Sequence, residues 1–150
     1  MSHFHEKLRN LGMKATPKRL AVLCLLAESG CYMGPDDVWG LMKSRFARVG
    51  LPTVYRILDE LARGGMISTI LHPNRQLYYY YCTNEEHHHH FVCVSCRRVD
   101  DIDFCALSDI GKEASRRIKG EVLSHTFQVS GVCAACVKTG RGGVVAGSAQ

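Results

Sequence analysis

The chain has 150 residues, of which 46% are hydrophobic and 22% are charged, and this composition excludes an intrinsically disordered protein. No apolar run approaches the ~20 residues that a membrane-spanning helix needs. The N-terminal residues MSHFHEKLRN lack the apolar core of a signal peptide. We therefore expect a soluble cytoplasmic protein with no membrane partner.

The formal net charge of +5 comes entirely from the first half of the chain. Residues 1–81 hold eleven Lys and Arg against six Asp and Glu, whereas residues 82–150 hold eight of each. A basic region beside a neutral one indicates that the first region contacts a polyanion. The chain also contains eight cysteines. In a reducing compartment, cysteines are more often metal ligands than members of disulfides.

Residues 1–81 are predicted to form four helices and a hairpin. The helices are expected from Phe4 to Gly12, Thr16 to Gly30, Pro35 to Phe46 and Pro52 to Gly64, and the hairpin strands at Met66–Leu71 and Gln76–Tyr81. This order is typical of a winged helix-turn-helix, in which the last helix enters the major groove of DNA. A small helical bundle with an incidental hairpin is the alternative, but it would leave the basic charge unexplained.

The second half is predicted to be a smaller domain behind a polar linker at residues 82–86. Short strands are expected at Phe91–Cys93, Val99–Ile102 and Thr126–Gly131, with a helix over Cys105–Val122. The fold class is thus α+β. The predicted units are a winged helix at 1–81, an α/β domain at 87–136 and a flexible glycine-rich tail at 137–150.

Two Cys-x-x-Cys pairs carry the strongest chemical signal. Cys93 and Cys96 form one pair, and Cys133 and Cys136 form the other. Two residues between cysteines let both thiolates of a turn reach one ion, and two such turns complete the tetrahedral S₄ set that zinc favours. Two separate redox pairs are the alternative. Cys24 and Cys105 are interpreted as packing residues.

Four consecutive histidines, His87 to His90, lead into the strand that contains Phe91. Side chains alternate faces along a strand, so His88 and His90 are expected on one face and His87 and His89 on the other. One strand would then supply two metal half-sites, each of which needs further ligands from elsewhere. A merely solvated polar stretch is the alternative.

Several motifs together resemble the ferric uptake regulator family of metal-responsive bacterial transcription regulators. They are Gly12-Met13-Lys14-Ala15-Thr16 followed by Arg19, Thr53-Val54-Tyr55-Arg56, HHHHFVCVSC and the later CAAC. The resemblance covers residues 5–136 and implies a homodimer, with winged helices on operator DNA and α/β dimerisation domains that hold metal. It implies DNA contacts by Lys14, Arg19, Thr53, Tyr55 and Arg56.

The regulatory metal depends on the branch of the family. The iron-sensing pattern has a His and an acid at the positions that align with Tyr32 and Tyr81 of this chain. Neutral phenols are poor ligands for a divalent ion. The zinc uptake regulator branch has a Cys six residues before the first strand His, as Cys82 stands six before His88. The resemblance thus implies Cys82, His88 and His90 as regulatory ligands.

The remaining ligands stay open in the sequence. Further acids of the family's pattern align with Ser68 and Ser108, so the fourth regulatory ligand is Asp101, Asp103, Cys31 or water. The additional site is predicted to contain His87, His89 and His125, and Asp101 is assigned to it.

These observations predict a zinc-dependent repressor of zinc uptake genes that is not an enzyme and takes no small-molecule substrate. The expected metals are Zn²⁺ at the structural site and Zn²⁺, with Fe²⁺ or Mn²⁺ as alternatives, at the regulatory site. An iron- or peroxide-sensing regulator is the first alternative function. A zinc-dependent hydrolase or zinc store is remote, since an all-Cys site is closed to substrate and no HExxH-like motif is present.

Overall fold

The computed structural model describes residues 2–105 and 107–141. In this part of the chain the helices are α1 (Ser2–Asn10), α2 (Pro17–Ser29), α3 (Pro35–Arg45), α4 (Leu51–Arg63), α5 (Leu107–Ile118) and α6 (Ala134–Lys138). The strands are β1 (Ser68–Leu71), β2 (Leu77–Tyr80), β3 (His89–Cys93), β4 (Val99–Ile102) and β5 (Gln128–Gly131). The predicted α+β class is confirmed.

Local signals explain where the N-terminal helices begin and end. The Thr16 side chain accepts the backbone N–H of Arg19, Pro17 occupies the first turn of α2, and Gly30 ends the helix with φ 61°. Helix α4 begins one residue before Pro52 and buries one face, formed by Val54, Ile57, Leu58 and Leu61. These bounds match the predicted ones within two residues.

The N-terminal half forms the predicted winged helix. Strands β1 and β2 pair antiparallel and form the wing, with Ser68 opposite Tyr80 and Leu71 opposite Leu77. The apolar faces of α1 to α4 and the wing share one core whose fully buried members include Leu8, Leu23, Leu26, Val38, Met42, Val54, Leu58 and Leu61. This core leaves the outer face of α4, with Tyr55 and Arg56, exposed.

The C-terminal half contains a three-stranded sheet with the order β4-β3-β5. Strand β3 runs antiparallel to β4 and parallel to β5. The parallel pairing brings Cys133, two residues after β5, beside the end of β3. Among the described residues, no helix is long and apolar enough to cross a membrane.

Several predicted boundaries in this half differ from the structure. Strand β3 begins at His89 rather than at Phe91. Helix α5 ends at Ile118 rather than at 122, because Lys119 adopts a left-handed conformation with φ 56°. Strand β5 begins at Gln128 rather than at 126. The short helix α6 runs two residues past the predicted end of the domain at 136, into the predicted tail. Tail residues 142–150 lie outside the described residues.

A second, smaller core contains side chains from both halves. Tyr32 and Ile70 come from the winged helix, and Val92 and Val99 come from the C-terminal sheet. Residues 82–86 form neither helix nor strand. The two halves therefore touch through packed side chains as well as being joined by the linker.

Candidate metal centres and nucleic-acid interface

Cys93, Cys96, Cys133 and Cys136 converge in a thiolate cluster with all four sulfur atoms within 4.8 Å of one another. The Cys96 and Cys133 sulfurs are 3.7 Å apart. Zinc–sulfur bonds of about 2.3 Å imply sulfur–sulfur separations of about 3.8 Å in a tetrahedral site. The cluster has the composition and the size of a structural zinc site, as the spacing of the two pairs predicted.

The backbone around Cys93 favours the ionised thiol that a metal needs. Burial alone would raise the pKa of the Cys93 thiol, but backbone N–H groups of Cys133, Cys96 and Ser95 hold this pKa below its usual range. The N–H of Cys133 lies 3.3 Å from the Cys93 sulfur. The turn that carries Cys133 thus helps to stabilise a thiolate of the turn that carries Cys93 and Cys96.

A second group, the linker cluster, contains Cys82, His88, His90 and Asp101. The His88 Nε2 atom lies 3.1 Å from the Cys82 sulfur and 2.9 Å from His90 Nε2. Asp101 Oδ1 lies 3.8 Å from His88 Nε2 and 3.9 Å from His90 Nε2. One thiol, two imidazoles and one carboxylate can close a four-coordinate shell around a divalent ion.

Hydrogen bonds orient the ligands of the linker cluster. His88 Nδ1 lies 2.6 Å from the Glu86 carbonyl oxygen, which accepts the Nδ1 proton and leaves Nε2 free for metal. Asn84 donates to Asp101 Oδ2 at 2.8 Å, so that Oδ1 faces the histidines. Burial raises the pKa of the Cys82 thiol, and burial together with His88 lowers the pKa of His90. His90 is thereby held in the neutral form that binds metal.

The structure places Asp101 in the linker cluster, as one of the candidates for the fourth regulatory ligand, and not with His87, His89 and His125 of the additional site to which it was also assigned. The reason is register: Asp101 pairs with His90 across β3 and β4, so both side chains lie on one face of the sheet. The other sequence candidates lie elsewhere. Asp103 is outside the three clusters formed by the described residues, and the Cys31 sulfur contacts the Cys96 carbonyl. Ser68 lines the cavity beside Cys82 and His88.

A third group, the helix cluster, contains His87, His89, Cys105 and His125. The Cys105 sulfur lies 3.3 Å from His87 Nε2 and 3.5 Å from His125 Nε2, and His125 Nε2 lies 3.4 Å from His89 Nε2. The alternation along the strand correctly separated His87 and His89 from His88 and His90. Cys105, interpreted from the sequence as a packing residue, lies with its sulfur among these imidazoles.

Cys105 stands just before α5, where a helix favours negative charge. The backbone N–H of Leu107, in the first turn of α5, lies 3.4 Å from the Cys105 sulfur. Burial and the imidazoles of His87 and His125 lower the pKa of His89. The position of Cys105 between a strand and the start of a helix was the signal in the sequence that could have marked it as a ligand. The Ser108 side chain lies outside the described part of the chain.

Tyr32 and Tyr81, which align with iron ligands of the family, are both engaged elsewhere. The Tyr32 hydroxyl donates to the Cys93 carbonyl at 3.2 Å, and burial raises the pKa of Tyr32 to about 12. Tyr81 is buried and packs edge-on against Phe4 with ring centroids 5.2 Å apart. Neither phenol is placed as an ionised metal ligand.

The predicted DNA contacts cluster around the exposed face of α4. Tyr55 and Arg56 are exposed, Thr53 is half-buried in the first turn, and Lys14 is exposed in the loop before α2. Lys14, Thr53 and Arg56 line one common cavity. The geometry brings Lys14, Thr53 and Arg56 together on one surface, where cations could contact phosphate and the exposed face of α4 could contact base edges.

Arg19 differs from the other predicted contacts. Its guanidinium forms an ion pair with Glu60 of α4 and donates to the Lys14 carbonyl at 2.8 Å. The Arg19 side chain is only 18% exposed. In this structure Arg19 ties the Lys14 loop to α4, and it lines the same cavity as Lys14 and Arg56, so its contact with DNA stays a prediction.

Comparison with known proteins decides the family. The model of the ferric uptake regulator family matches residues 10–130, which is most of the chain. The chain belongs to the ferric uptake regulator family. The resemblance drawn from the motifs is thereby confirmed at the level of the family.

Individual relatives come from different branches of the family. The chain is 30% identical over 134 residues to the ferric uptake regulation protein of Bacillus subtilis, covering 87% of this chain and 90% of the relative. It is 25% identical over 133 residues to the peroxide operon regulator of the same organism, covering 89% and 90%. A solved zinc uptake regulator complexed with zinc and DNA superposes with a TM-score of 0.75 at 22% identity, covering 93% of each chain, and shows the shared fold.

Family membership gives the protein its general role. The chain is a metal-responsive DNA-binding transcription regulator, and its thiolate cluster suits a structural zinc. This role is consistent with the prediction that the protein is not an enzyme.

Proposed function

We propose that this protein is a cytoplasmic, zinc-dependent repressor of zinc uptake genes that binds operator DNA as a homodimer. The linker cluster carries the proposal, because it supplies a cysteine thiol where an iron site would use harder ligands. Thiolate and imidazole together suit zinc, whereas ferrous iron sites use more carboxylate and imidazole. Tyr32 and Tyr81, at the aligned iron-ligand positions, are engaged in packing and in a hydrogen bond.

The position of the linker cluster explains how metal would change DNA binding. Cys82 directly follows the wing, whereas His90 and Asp101 lie on β3 and β4. A bound ion would join the linker to the C-terminal sheet and favour one orientation of the winged helix. Because coupling is reciprocal, DNA would raise metal affinity by the factor by which metal raises DNA affinity. The helix cluster would hold an additional ion inside the dimerisation domain.

An iron- or peroxide-sensing regulator is the second candidate. The names of the two Bacillus subtilis relatives favour it, since one is a ferric uptake regulation protein and the other a peroxide operon regulator. The carboxylate of Asp101 is also an acceptable ligand for ferrous iron. The two candidates differ in which metal switches on DNA binding at the free concentration that a cell maintains.

A titration at buffered free metal tests the choice, with the thiolate cluster kept zinc-loaded. Zinc is expected to switch on operator binding at a much lower free concentration than ferrous iron. Cys82→Ser is expected to erase most of this advantage, whereas Cys24→Ser, in α2 and outside the clusters, should leave it intact. Activation by ferrous iron at its ordinary cytosolic concentration, with zinc effective only far above cellular levels, would favour the second candidate instead.

The homodimer is proposed from the exposed apolar face of α5. Ile110 and Ile118 are 60% and 77% exposed, although the sequence pattern marks this face as apolar. A second copy of the same helix region would cover it, as is usual for contiguous apolar surface.

Sedimentation analysis tests this interface. Ile118→Glu is expected to shift the protein from dimer toward monomer, because the interface would then bury one carboxylate from each copy. Leu41→Glu, at an exposed position on α3, is the control and should remain dimeric. A dimer that persists unchanged in Ile118→Glu would place the interface elsewhere.

A further inference from the structure

A short segment between α2 and α3 lies between the wing and the first zinc knuckle, which is the turn from Cys93 to Arg98. This bridge segment, residues 31–33, pairs on both sides: Met33 exchanges backbone hydrogen bonds with Tyr79 of β2, and Cys31 pairs with Arg98. The Tyr32 N–H donates to the Arg97 carbonyl at 3.0 Å. The segment therefore connects the wing to the turn that carries Cys93 and Cys96.

The Tyr32 side chain makes the same connection through packing. It is 1% exposed and shares a core with Ile70 of the wing and with Val92 and Val99 of the C-terminal sheet. Its ring lies edge-on against Tyr78, with centroids 5.2 Å apart. Its hydroxyl reaches past this core to the Cys93 carbonyl. One side chain thus touches the wing, the sheet and the backbone of the knuckle.

Two further contacts hold the halves in the same arrangement. The Arg97 guanidinium forms an ion pair with Asp37 at the start of α3, and it lies 5.6 Å from the centre of the Tyr78 ring. The Gln128 side-chain amide pairs with the Leu71 backbone, accepting its N–H at 3.2 Å and donating to its carbonyl at 2.9 Å. These contacts lie nearer the surface than the buried Tyr32 side chain.

We propose that Tyr32 is a positioning residue for DNA binding, which seats the winged helix on the Cys93–Arg98 knuckle. The knuckle would then serve as the docking surface for the DNA-binding half as well as the anchor of the C-terminal fold. Buried packing at Tyr32 favours one orientation of α4 relative to the C-terminal domain, and metal bound at the linker cluster would stabilise this same orientation further. The inference rests on the proposed DNA-binding function only through its effect on operator affinity.

Amide hydrogen exchange of the full zinc-loaded chain tests the docking directly. Tyr32→Phe removes the hydroxyl alone, and we expect exchange in residues 31–33 to accelerate about two- to tenfold, the value of one buried hydrogen bond. Tyr32→Ala also removes the shared packing, and we expect faster exchange in residues 31–33 and 97–98 while peptides from α2 and α4 keep their protection. Its operator affinity should fall about tenfold or more at unchanged zinc content.

Tyr78→Phe is the matched control, because its hydroxyl contacts Asn74 and Gln76 in the wing turn and not the knuckle. It should leave exchange in residues 31–33 unchanged. If Tyr32→Phe and Tyr78→Phe exchange alike in these residues, or if Tyr32→Ala binds operator as tightly as wild type, the inference is overturned. A wild-type protein without metal-dependent operator binding would defeat the proposed function, whereas the exchange rates would still decide the docking.

Discussion

Replacing Cys93 with serine is expected to release the structural zinc and unfold the C-terminal domain. Cys93 is buried, and its sulfur faces the other three thiols at the junction of β3 and β5. Zinc binding in small zinc-finger peptides contributes roughly 10–16 kcal/mol, apparent, to folding. Domains are stable by only about 5–15 kcal/mol, so the loss of this ion exceeds what the small sheet can tolerate. Zinc content and amide exchange of β3 to β5 would measure the effect.

Cys24→Ser is the matched control for this experiment. Cys24 lies in α2, outside the three clusters, so its replacement should leave one tightly bound zinc in the thiolate cluster. A Cys93→Ser protein that stays folded with its full zinc content would contradict the structural role of the cluster. Unfolding limited to the C-terminal sheet would agree with it, because the core of the winged helix is built from its own residues.

Arg56→Ala is expected to weaken operator binding by about 1–3 kcal/mol and to reduce sequence preference. The Arg56 side chain is 68% exposed on α4 and lies 3.9 Å from Glu60, one turn further along the helix. The buried face of α4 holds the helix rigidly, so the guanidinium can reach the major groove and pair with a guanine edge through two hydrogen bonds. Binding to the operator and to random DNA, measured at several salt concentrations, would show the loss.

Two comparison variants separate base contact from charge. Lys14→Ala is expected to weaken binding to all sequences similarly and to flatten the salt dependence, because a lysine mainly neutralises phosphate. Arg63→Ala removes the same charge as Arg56→Ala from the far end of α4, where Arg63 pairs with Asp59, and should change sequence preference little. If Arg56→Ala discriminates the operator from random DNA as well as wild type does, Arg56 does not read bases.

Much of the molecule follows from signals within a few residues of sequence. Thr16-Pro17 and Gly30 specify the ends of α2 because capping and left-handed backbone are local properties. The two Cys-x-x-Cys pairs indicate a zinc site because each pair needs only one turn of backbone. The run of four histidines divides into two clusters because strand geometry alternates side chains regardless of what lies around them.

Other features depend on which segments meet in the folded chain, and only the tertiary structure decided them. Asp101 joins the linker cluster because the β3–β4 register places it opposite His90, and no local pattern specifies that register. Cys105 joins the helix cluster because β4 ends with Ile102 paired to His89 of β3, only three residues before Cys105. In the sequence, Tyr32 stands where the iron-sensing pattern has a metal ligand. In the fold, it lies in a core shared by both halves. Contacts between distant segments arise from packing of the whole chain, and local periodicity carries no information about them.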